Sequence, residues 1–289
     1  MPKVTAVIPT HNGLVLLEKN LPQVLKAMQD NDEVMIVDDA STDTTVQWLK
    51  ETFQLSDGDR ASDENGSYSV YTNCITLGSK MLEITVLKNE SNLRFAEAVN
   101  RGVKLSKHAY IFLLNNDVAP FPKVLKYLLS YFKSSQVFAV GCLEYQSDAE
   151  QSSGRNKLWF ERGLFQHARA KRQVSGKTAW VSGGSGLFDR EKWLILGGFD
   201  KRFYPAYWED VDLSYRATQK GWKVWFSAEA QVHHNHESTN TTVFGQKQIA
   251  QMSWRHQQLF TWLHSSTKRR LLFLLWWPYH FWKMSNSIK

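Results

Sequence analysis

The chain has 289 residues, of which 43% are hydrophobic and 22% are charged. This size and composition exclude a disordered or fibrous protein and fit one large α/β domain with a buried core, alone or with an appendage. The net charge is +7, and the two cysteines, Cys74 and Cys142, form neither a disulfide framework nor a metal-binding spacing, as is typical of a reducing compartment.

Apolar strands alternate with amphipathic helices through the first half of the chain. The N-terminal strand has no signal-peptide core, so we expect a cytoplasmic protein. Strands are predicted at residues 4–8, 33–37, 84–87, 109–114 and 137–141. Between the first two strands, Leu17, Leu21 and Val24 recur at helical spacing. This order predicts a Rossmann-like fold, with a mainly parallel central sheet and helices on both faces.

Two polar segments interrupt the alternation. Residues 57–80 carry Asp-Gly and Asn-Gly turns and are predicted to form an insertion. Residues 146–177 are rich in Gly, Ser and Gln and are basic, which suits either a mobile loop over an anionic substrate or a solvated loop. We therefore expect one domain over residues 1–245 and a separate C-terminal segment over residues 246–289.

Acidic residues follow two of the predicted strands. Asp38 and Asp39 end the second strand, and Asp117 ends the fourth. Ligands of open α/β sheets bind beyond the carboxyl ends of the strands, so these side chains should meet in one crevice, although each also suits a turn or helix cap. No Gly-rich phosphate loop follows the first strand. A nucleotide here would be held by carboxylates and by Mn²⁺ or Mg²⁺, which accept oxygen ligands.

A second acidic group lies at Glu209, Asp210 and Asp212, at the start of a predicted helix. Acids in a first helical turn also stabilise the helix dipole. Beside a metal and phosphate site, however, such a group can remove a proton. Sugar transfer from a nucleotide donor requires both functions: one site that binds the metal and the leaving phosphate, and another that removes a proton.

Three histidines, His233, His234 and His236, form the remaining candidate for a metal ligand. In an extended segment, His234 and His236 face away from His233, so the ligating residue stays open. No other His or Cys joins them at zinc spacing, which argues against zinc.

The C-terminal end holds the whole charge excess. After Glu237 there is no acidic residue, and seven basic ones follow: Lys247, Arg255, Lys268, Arg269, Arg270, Lys283 and Lys289. The Trp-rich apolar run at 271–282 is shorter than the roughly 20 residues that cross a bilayer. We expect a basic helical segment lying on an anionic membrane surface, with packing on the domain or a homodimer contact as alternatives. The charge is too local to indicate nucleic-acid binding.

Five segments resemble successive signatures of the family 2 glycosyltransferases, over roughly residues 3–240. They are 7–12 (Val-Ile-Pro-Thr-His-Asn), 37–43 (Val-Asp-Asp-Ala-Ser-Thr-Asp), 92–102, 113–117 (Leu-Leu-Asn-Asn-Asp) and 197–213. The resemblance implies a GT-A fold, an inverting mechanism, a nucleoside-diphosphate-sugar donor and a divalent metal. Within the family, the chain is most similar to bacterial enzymes of cell-surface polysaccharide synthesis, including rhamnosyltransferase-like members.

The resemblance also implies roles for single residues on the donor side. Pro9 and Asn12 would line the nucleoside pocket, and Asp39 would bind the base with Asp38 nearby. Four further residues are expected at the donor: Asn92, Arg94, Asn100 and Asn116. Arg94 departs from the family, which usually has Gly there, and would either contact a donor phosphate or fill the loop.

The metal site and the acceptor side follow from the same resemblance. Asp117 would bind the metal, although Asn115 replaces the first acid of the family's D-x-D motif, and His233 is the expected second ligand, with His234 or His236 as alternatives. Gly184, Ser185 and Trp208 would lie beside the acceptor. Asp210 would be the general base and Glu209 its companion, whereas Asp212 is expected to be structural.

The predicted activity is transfer of a hexosyl or deoxyhexosyl group. A UDP- or dTDP-linked donor would supply the sugar to a hydroxyl of a saccharide or lipid-linked saccharide, at the inner face of the cell membrane. Two alternatives are a nucleotidyltransferase of related α/β fold and a catalytically silent scaffold that binds membrane or partners. A nucleotidyltransferase would need a Gly-, Arg- or Lys-rich loop after the first strand, and residues 9–13 do not form one.

Overall fold

A computed structural model of the chain describes residues 1–56, 58–146, 152–234 and 239–287. Within them, the strands are β1 Val4–Thr10, β2 Glu33–Asp38, β3 Arg60–Asp63, β4 Gly66–Leu77, β5 Lys80–Asn89, β6 Tyr110–Leu114, β7 Val118–Pro120, β8 Val137–Gln146, β9 Ser152–Ser153, β10 Asn156–Glu161, β11 Leu164–Arg169, β12 Gly176–Lys177, β13 Ser185–Asp189 and β14 Lys223–His234. The helices are α1 Leu14–Ala27, α2 Thr45–Phe53, α3 Arg94–Leu105, α4 Val124–Leu129, α5 Arg190–Ile195, α6 Glu209–Gln219, α7 Thr239–His264 and α8 Thr267–Ser287.

One large mixed sheet organises the molecule. Its strand order is β12-β14-β8-β13-β6-β1-β2-β5-β4-β3. Strands β5, β2, β1 and β6 are parallel neighbours, β8 is parallel to β14, and β13 runs antiparallel between β6 and β8. The prediction of an α/β fold with a large central sheet is confirmed. The sheet is mixed, however: β5, β2, β1 and β6 are parallel, whereas β13, β4, β3 and β12 pair antiparallel with their neighbours.

Alternation along the strands explains why helices cover both faces. Ala6 and Ile8 of β1 belong to one buried cluster, which includes the apolar residues of α1, α2 and α4. Val7 belongs to the opposite cluster, with residues of α3, α5 and α6. A strand that is buried on both sides needs such a continuous apolar run.

The predicted insertion extends the sheet. Most of residues 58–80 form β3 and β4, which add two antiparallel strands beyond β5. Arg101 of α3, 2% exposed, fixes this hairpin: its guanidinium donates to Asp63 and to the carbonyl oxygen of Gly66. A buried arginine is stable only with such paired acceptors.

The segment expected as a mobile loop has regular structure where it is described. Strands β10 and β11 form a separate two-stranded hairpin, and Phe165 of β11 joins a third buried cluster with Trp208 and Phe260 of α7. The expected mobility stays a prediction. The predicted boundary near residue 245 coincides with a break in α7, where Gly245 has φ of +70°, but Phe260 is fully buried against the domain. Among the described residues, no helix is long and apolar enough to cross a bilayer.

Candidate active site

The carboxyl ends of β1, β2, β5 and β6 lie side by side at one edge of the sheet. Asp39, just after β2, is buried. Its Oδ1 accepts hydrogen bonds from Asn89 Nδ2 (2.9 Å) and the backbone N–H of Leu93 (2.8 Å), and its Oδ2 accepts one from the backbone N–H of Arg94 (2.7 Å). Asp39 therefore holds the loop between β5 and α3 in place at the strand ends.

Asn12 holds the loop after β2 in place. Its Oδ1 accepts from the backbone N–H of Thr42 (2.8 Å) and of Asp43 (3.3 Å), and its own backbone N–H donates to Ser41 Oγ (2.8 Å). These contacts tie the loop after β1 to the loop after β2. Pro9 lies one residue before the end of β1 and pairs in register with Val37.

Asp38 lies on the buried side of the same turn. Its Oδ2 accepts from the backbone N–H of Ser41 (3.1 Å), whereas its Oδ1 is buried without a hydrogen-bond partner among the described residues. Burial raises the pKa of this carboxyl above its usual range, and the contacts to Ser41 offset only part of that rise.

Arg94 begins α3 with φ of +67°, which explains why the family pattern has glycine at this position. The backbone N–H of Arg94 also donates to Asn92 Oδ1 (3.0 Å), and its Nε donates to the hydroxyl of Tyr204 (3.3 Å). Arg94 and Asn92 therefore lie together at the mouth of the cleft, facing the loop that precedes α6.

Asn100 binds the backbone of Phe199, and its expected position beside the donor stays a prediction. Its Nδ2 donates to the Phe199 carbonyl oxygen and its Oδ1 accepts from the Phe199 N–H, both at 2.8 Å. The side-chain amide therefore holds the turn at Gly198 and Phe199 in place. A Cβ at Gly198 would lie 2.2 Å from Asn100 Oδ1, so this close approach requires glycine.

The loop after β6 joins the two sides of the cleft. Asn116 Nδ2 donates to Thr10 Oγ1 (2.9 Å), towards β1. Asn115 lies on the other side: its backbone N–H donates to the Gly184 carbonyl oxygen (3.0 Å). A Cβ at Gly184 would lie 2.7 Å from the Asn115 side chain, so Gly184 is what allows this contact.

Asp117 faces a histidine across the cleft floor, and that histidine is His234. Asp117 Oδ1 lies 3.2 Å from His234 Nε2, and His234 Nδ1 lies 3.5 Å from Glu144 Oε2. All three side chains are less than 10% exposed. Burial alone would lower the pKa of His234, but the two carboxylates outweigh it and raise the pKa to about 10.

His233 points the other way, which corrects its selection as the expected ligand. It is exposed on β14, and its ring packs against Phe121 and Tyr145, with centroids 4.7 and 6.1 Å apart. The alternative His234 is the one beside Asp117. His236 lies outside the described residues.

Asp117 and His234 fit a divalent ion in part. No group of three His, Cys, Asp or Glu side chains in the described part of the chain is arranged to hold a metal. One carboxylate and one imidazole suit Mn²⁺, and Mg²⁺ commonly takes one or two carboxylates and completes its shell with substrate phosphates and water. These residues are therefore compatible with a metal bound together with a diphosphate.

The acids at the start of α6 lie near the segment before β13, because the backbone N–H of Gly183 donates to Asp210. Glu209 is 7% exposed, and its Oε2 is buried without a hydrogen-bond partner among the described residues. Burial, and then the neighbouring charge of Asp210, raise the pKa of Glu209 well above its ordinary value. Burial also raises the pKa of Asp210, to about 6, while the backbone N–H groups of Val211 and Gly183 limit that rise. Both acids therefore take up a proton more readily than exposed carboxyls do.

The loop before α6 is strained. Tyr207 and Trp208 have φ of +77° and +76°, a region that bulky residues rarely adopt and that costs of order 1–3 kcal/mol each. His256 of α7 holds this loop: its Nδ1 lies 3.0 Å from the carbonyl oxygens of both Ala206 and Tyr207. Carbonyls only accept, so Nδ1 carries the proton. Trp208 Nε1 donates to Ser253 Oγ of the same helix (3.3 Å).

Asp212 has a structural environment, as expected. Its carboxylate is 1% exposed and accepts from Arg216 Nε (2.7 Å) and His264 Nε2 (2.6 Å). It therefore links α6 to α7 and does not face the cleft as a free acid.

Ser185 lies beside a buried acid that sequence reasoning missed. Ser185 Oγ donates to Glu144 Oε1 at 2.5 Å. Glu144 lies within β8, where it follows the apolar run Phe138–Leu143, and one polar residue in an otherwise apolar strand was the available signal. Its negative charge also contributes to the raised pKa of Asp210.

Comparison with known proteins adds two kinds of finding. The sequence model of glycosyl transferase family 2 matches residues 5–193. The O-antigen chain rhamnosyltransferase WbaN of Salmonella anatum is 24% identical over 245 residues, which cover 83% of this chain and 68% of that protein. The O-antigen chain rhamnosyltransferase RfbN of Salmonella typhimurium is 24% identical over 248 residues, or 82% and 68%.

Solved structures agree with this fold. GalNAc-T7 with UDP, GalNAc and Mn²⁺ superposes with a TM-score of 0.60 at 16% identity, covering 82% of this chain and 44% of that one. The mannosyltransferase PcManGT from Pyrobaculum calidifontis, in complex with GDP-Man and Mn²⁺, superposes with a TM-score of 0.59 at 16% identity, covering 95% and 74%.

Proposed function

The chain belongs to the family 2 glycosyltransferases, and from this we propose that it moves a hexosyl or deoxyhexosyl group from a nucleoside-diphosphate-sugar to a saccharide or lipid-linked saccharide of a cell-surface polysaccharide. The observation that carries the proposal is that two groups of side chains meet at Glu144: the pair Asp117 and His234 lies beside it, and its charge helps to raise the pKa of Asp210. The similarity to O-antigen rhamnosyltransferases favours a deoxyhexose.

Asp210 acts as the general base in this proposal. An acceptor hydroxyl must lose its proton as it attacks the anomeric carbon, and a base that titrates near 6 is ionised at neutral pH while still able to take a proton. Glu209, whose pKa is raised as well, lies beside it and orients the acceptor hydroxyl or Asp210. Attack opposite the leaving diphosphate inverts the anomeric configuration in one displacement.

Asp39, Asn12 and Arg94 bind the donor. Asp39 already accepts three hydrogen bonds, which orient its carboxylate and leave Oδ2 able to accept one more from a base imide. Arg94, at the cleft mouth, contacts a donor phosphate. Uridine and deoxythymidine carry the required imide, which supports a UDP- or dTDP-linked donor.

Asp117 and His234 would hold the divalent ion, with His234 in place of the expected His233. When bound, Mn²⁺ or Mg²⁺ neutralises charge that develops on the leaving diphosphate. Both solved relatives named above contain Mn²⁺, which supports this cofactor.

The two alternative functions are not favoured. A nucleotidyltransferase would need phosphate-binding residues in the loop after β1, and Asn12 there is occupied with the backbone of Thr42 and Asp43. A silent scaffold would have no reason to bury Glu209 beside Asp210.

A donor screen tests the proposal. We expect dTDP- and UDP-sugars, in the presence of Mn²⁺, to raise the melting temperature and to give a glycosylated product with a saccharide acceptor, detected by mass spectrometry. Release of sugar 1-phosphate in place of nucleoside diphosphate, with the nucleoside monophosphate moved to the acceptor, would contradict it and indicate nucleotidyl transfer.

The exposed face of α8 supports peripheral attachment to the inner face of the cell membrane. Leu271, Leu274, Leu275 and Trp282 are 57%, 55%, 76% and 64% exposed, and their spacing places them on one side of the helix. The opposite side is buried: His280 Nε2 donates to the Arg162 carbonyl oxygen (2.5 Å) in the β10–β11 turn. An apolar stripe beside Lys268, with no acid after Glu237, matches an anionic bilayer surface.

Flotation with liposomes tests this attachment. We expect Leu275→Glu to lower binding to vesicles of mixed neutral and anionic lipid at least several-fold. The matched control is Ile195→Glu, which changes an aliphatic side chain that is 59% exposed on α5. Equal binding by both variants would remove the membrane proposal, and a dimer of the wild type that Leu275→Glu dissociates would replace it with a homodimer contact.

A further inference from the structure

Asn89 lies at the end of β5, between the acid proposed to bind the donor base and a buried arginine. Its Nδ2 donates to Asp39 Oδ1 (2.9 Å), and its Oδ1 accepts from Arg101 Nη1 (2.5 Å). Asn89, Arg101 and Asp39 are 0%, 2% and 4% exposed. The three side chains therefore form a continuous chain of hydrogen bonds that is shielded from solvent.

The chemistry of the two neighbours allows only one orientation of the Asn89 amide. A guanidinium has only N–H donors, and an ionised carboxylate has only acceptors. The amide oxygen must therefore face Arg101, and the amide nitrogen must face Asp39. Displacement of Arg101 would remove the contact that keeps the amide oxygen away from the carboxylate of Asp39.

The position of Arg101 is set by the hairpin of β3 and β4, which is the insertion at the edge of the sheet. Its Nε and Nη2 donate to the two carboxylate oxygens of Asp63 at 3.0 and 2.5 Å, and Nη2 also donates to the Gly66 carbonyl oxygen (3.1 Å). The ring of Tyr68 lies against the same group, with its centroid 4.7 Å from the guanidinium carbon. All three partners belong to β3 and β4. A bidentate contact with a carboxylate holds an arginine in a defined geometry, so the hairpin determines where Nη1 points.

We infer that Asn89 and Arg101 are positioning residues, through which the β3–β4 hairpin orients the carboxylate of Asp39 for the base of the donor. The inference rests on the proposed role of Asp39 in binding a base imide. It extends that role, because it makes the discrimination between bases depend on Arg101, which is linked to Asp39 through Asn89, and on an insertion at the edge of the sheet.

A purely structural role predicts a different result. Loss of one partner of a buried hydrogen bond destabilises the fold, so a structural asparagine would act on stability alone. Asn73 provides the comparison: it lies on β4, and its Nδ2 donates to the carbonyl oxygens of Phe53 (2.9 Å) and Gln54 (3.2 Å) at the end of α2. Asn73→Asp should lower the melting temperature without changing the discrimination between bases.

The test compares the binding of two nucleotides to the full chain by calorimetry. UDP carries the imide N–H, and its analogue methylated at the imide nitrogen does not. We expect the wild type to bind UDP about 10–100-fold more tightly than the analogue, as for one hydrogen bond to a charged group. Asn89→Asp places a second carboxylate against Asp39, and the two like charges repel. The preference for UDP should therefore fall by about tenfold or more in this variant.

Arg101→Lys is a second variant, which serves as the readout if Asn89→Asp does not fold. A lysine ammonium is a point charge and lacks the planar fork that contacts Asp63 and Asn89 together. The preference for UDP should therefore fall a few-fold. Asn73→Asp should keep the wild-type preference, even where its melting temperature falls as far as that of the other two variants.

The possible outcomes separate this inference from the proposed function. A preference for UDP that both Asn89→Asp and Arg101→Lys retain in full overturns the positioning role. Equal binding of the two nucleotides by the wild type, or no binding of UDP, also overturns it, whereas glycosylated product in the donor screen would still support the proposed function. The expected preferences without any product would overturn sugar transfer and support the positioning of Asp39 for a nucleotide.

Discussion

Asp39, which follows β2, and Asp210, in the first turn of α6, have carboxylates in different surroundings. Asp39 accepts three hydrogen bonds of 2.7–2.9 Å from two backbone N–H groups and one side chain. Asp210 also accepts from backbone N–H groups, including those of Val211 and Gly183, but burial outweighs them and raises its pKa to about 6. A carboxylate that is destabilised in this way takes up a proton more readily, which suits the role proposed for Asp210.

The backbone conformation also differs between the two regions. The donor side uses the ends of regular parallel strands, and the acceptor side uses a loop in which Tyr207 and Trp208 have positive φ. That loop depends on α7 through His256. The donor side is therefore fixed by the sheet itself, while the acceptor side is fixed from outside by a helix that is distant in the chain.

The largest effect should come from exchanging the reacting carboxylate. We expect Asp210→Asn to lower kcat about 10²–10⁴-fold, because proton removal is lost, while the Kd of the donor sugar stays within about twofold. Asp39→Asn is the matched control: it should weaken donor binding about tenfold through the loss of charge-assisted hydrogen bonds. Rate measurements and calorimetry check both variants. A change in donor Kd as large for Asp210→Asn as for Asp39→Asn would erase the distinction between the two sides.

The second effect concerns pH. The base is active when ionised, so kcat/KM should fall as pH decreases through 6, by about tenfold per pH unit below it. The donor Kd should not follow this curve. A pH–rate profile from 4.5 to 8 checks this, and a flat profile over that range would rule out Asp210 as the base.

The raised pKa of Asp210 also affects stability: activity should rise as the pH increases through 6, whereas this contribution to stability should fall. Because the folded-state pKa of Asp210 lies above its ordinary value of 3.8, its protonated form favours folding, and that contribution is lost as pH rises through about 6. Asp210→Asn should therefore melt above the wild type at pH 7, with the difference vanishing below pH 4. Thermal melts at both pH values provide the measurement.

The smallest effect should come from the helix that supports the strained loop. His256→Ala removes a hydrogen bond to the carbonyls of Ala206 and Tyr207, worth about 1 kcal/mol, so we expect kcat to fall a few-fold with an unchanged donor Kd. His280→Ala is the control, since His280 also binds a carbonyl, that of Arg162, from α8. Equal loss of kcat in both variants would show a general loss of stability.

The strands that carry the proposed donor side were predictable because short-range patterns determine them. Apolar runs located β1, β2, β5 and β6, and the carboxyl ends of parallel strands necessarily meet. The proposed acceptor side was less predictable. Which histidine faces inward depends on an irregularity in β14 between Ser227 and Gln231, because each single-residue shift of register turns the side chains to the other face of the sheet. Three other features of the site depend on contacts between distant segments, which local periodicity does not encode. They are the position of Glu144, the hydrogen bonds from His256 and the contacts of Asn100 with Phe199.

The position of β13 also affects how the protein is made. It lies between β6 and β8 although it follows both in the chain, so the facing edges of these strands stay unpaired until residue 189 has been synthesised. At about 5–20 residues per second, the interval from the end of β6 lasts several seconds or more. Unpaired strand edges are templates for aggregation. We therefore expect recovery of soluble protein to depend on translation rate and chaperone supply, and truncation before β13 to yield insoluble fragments.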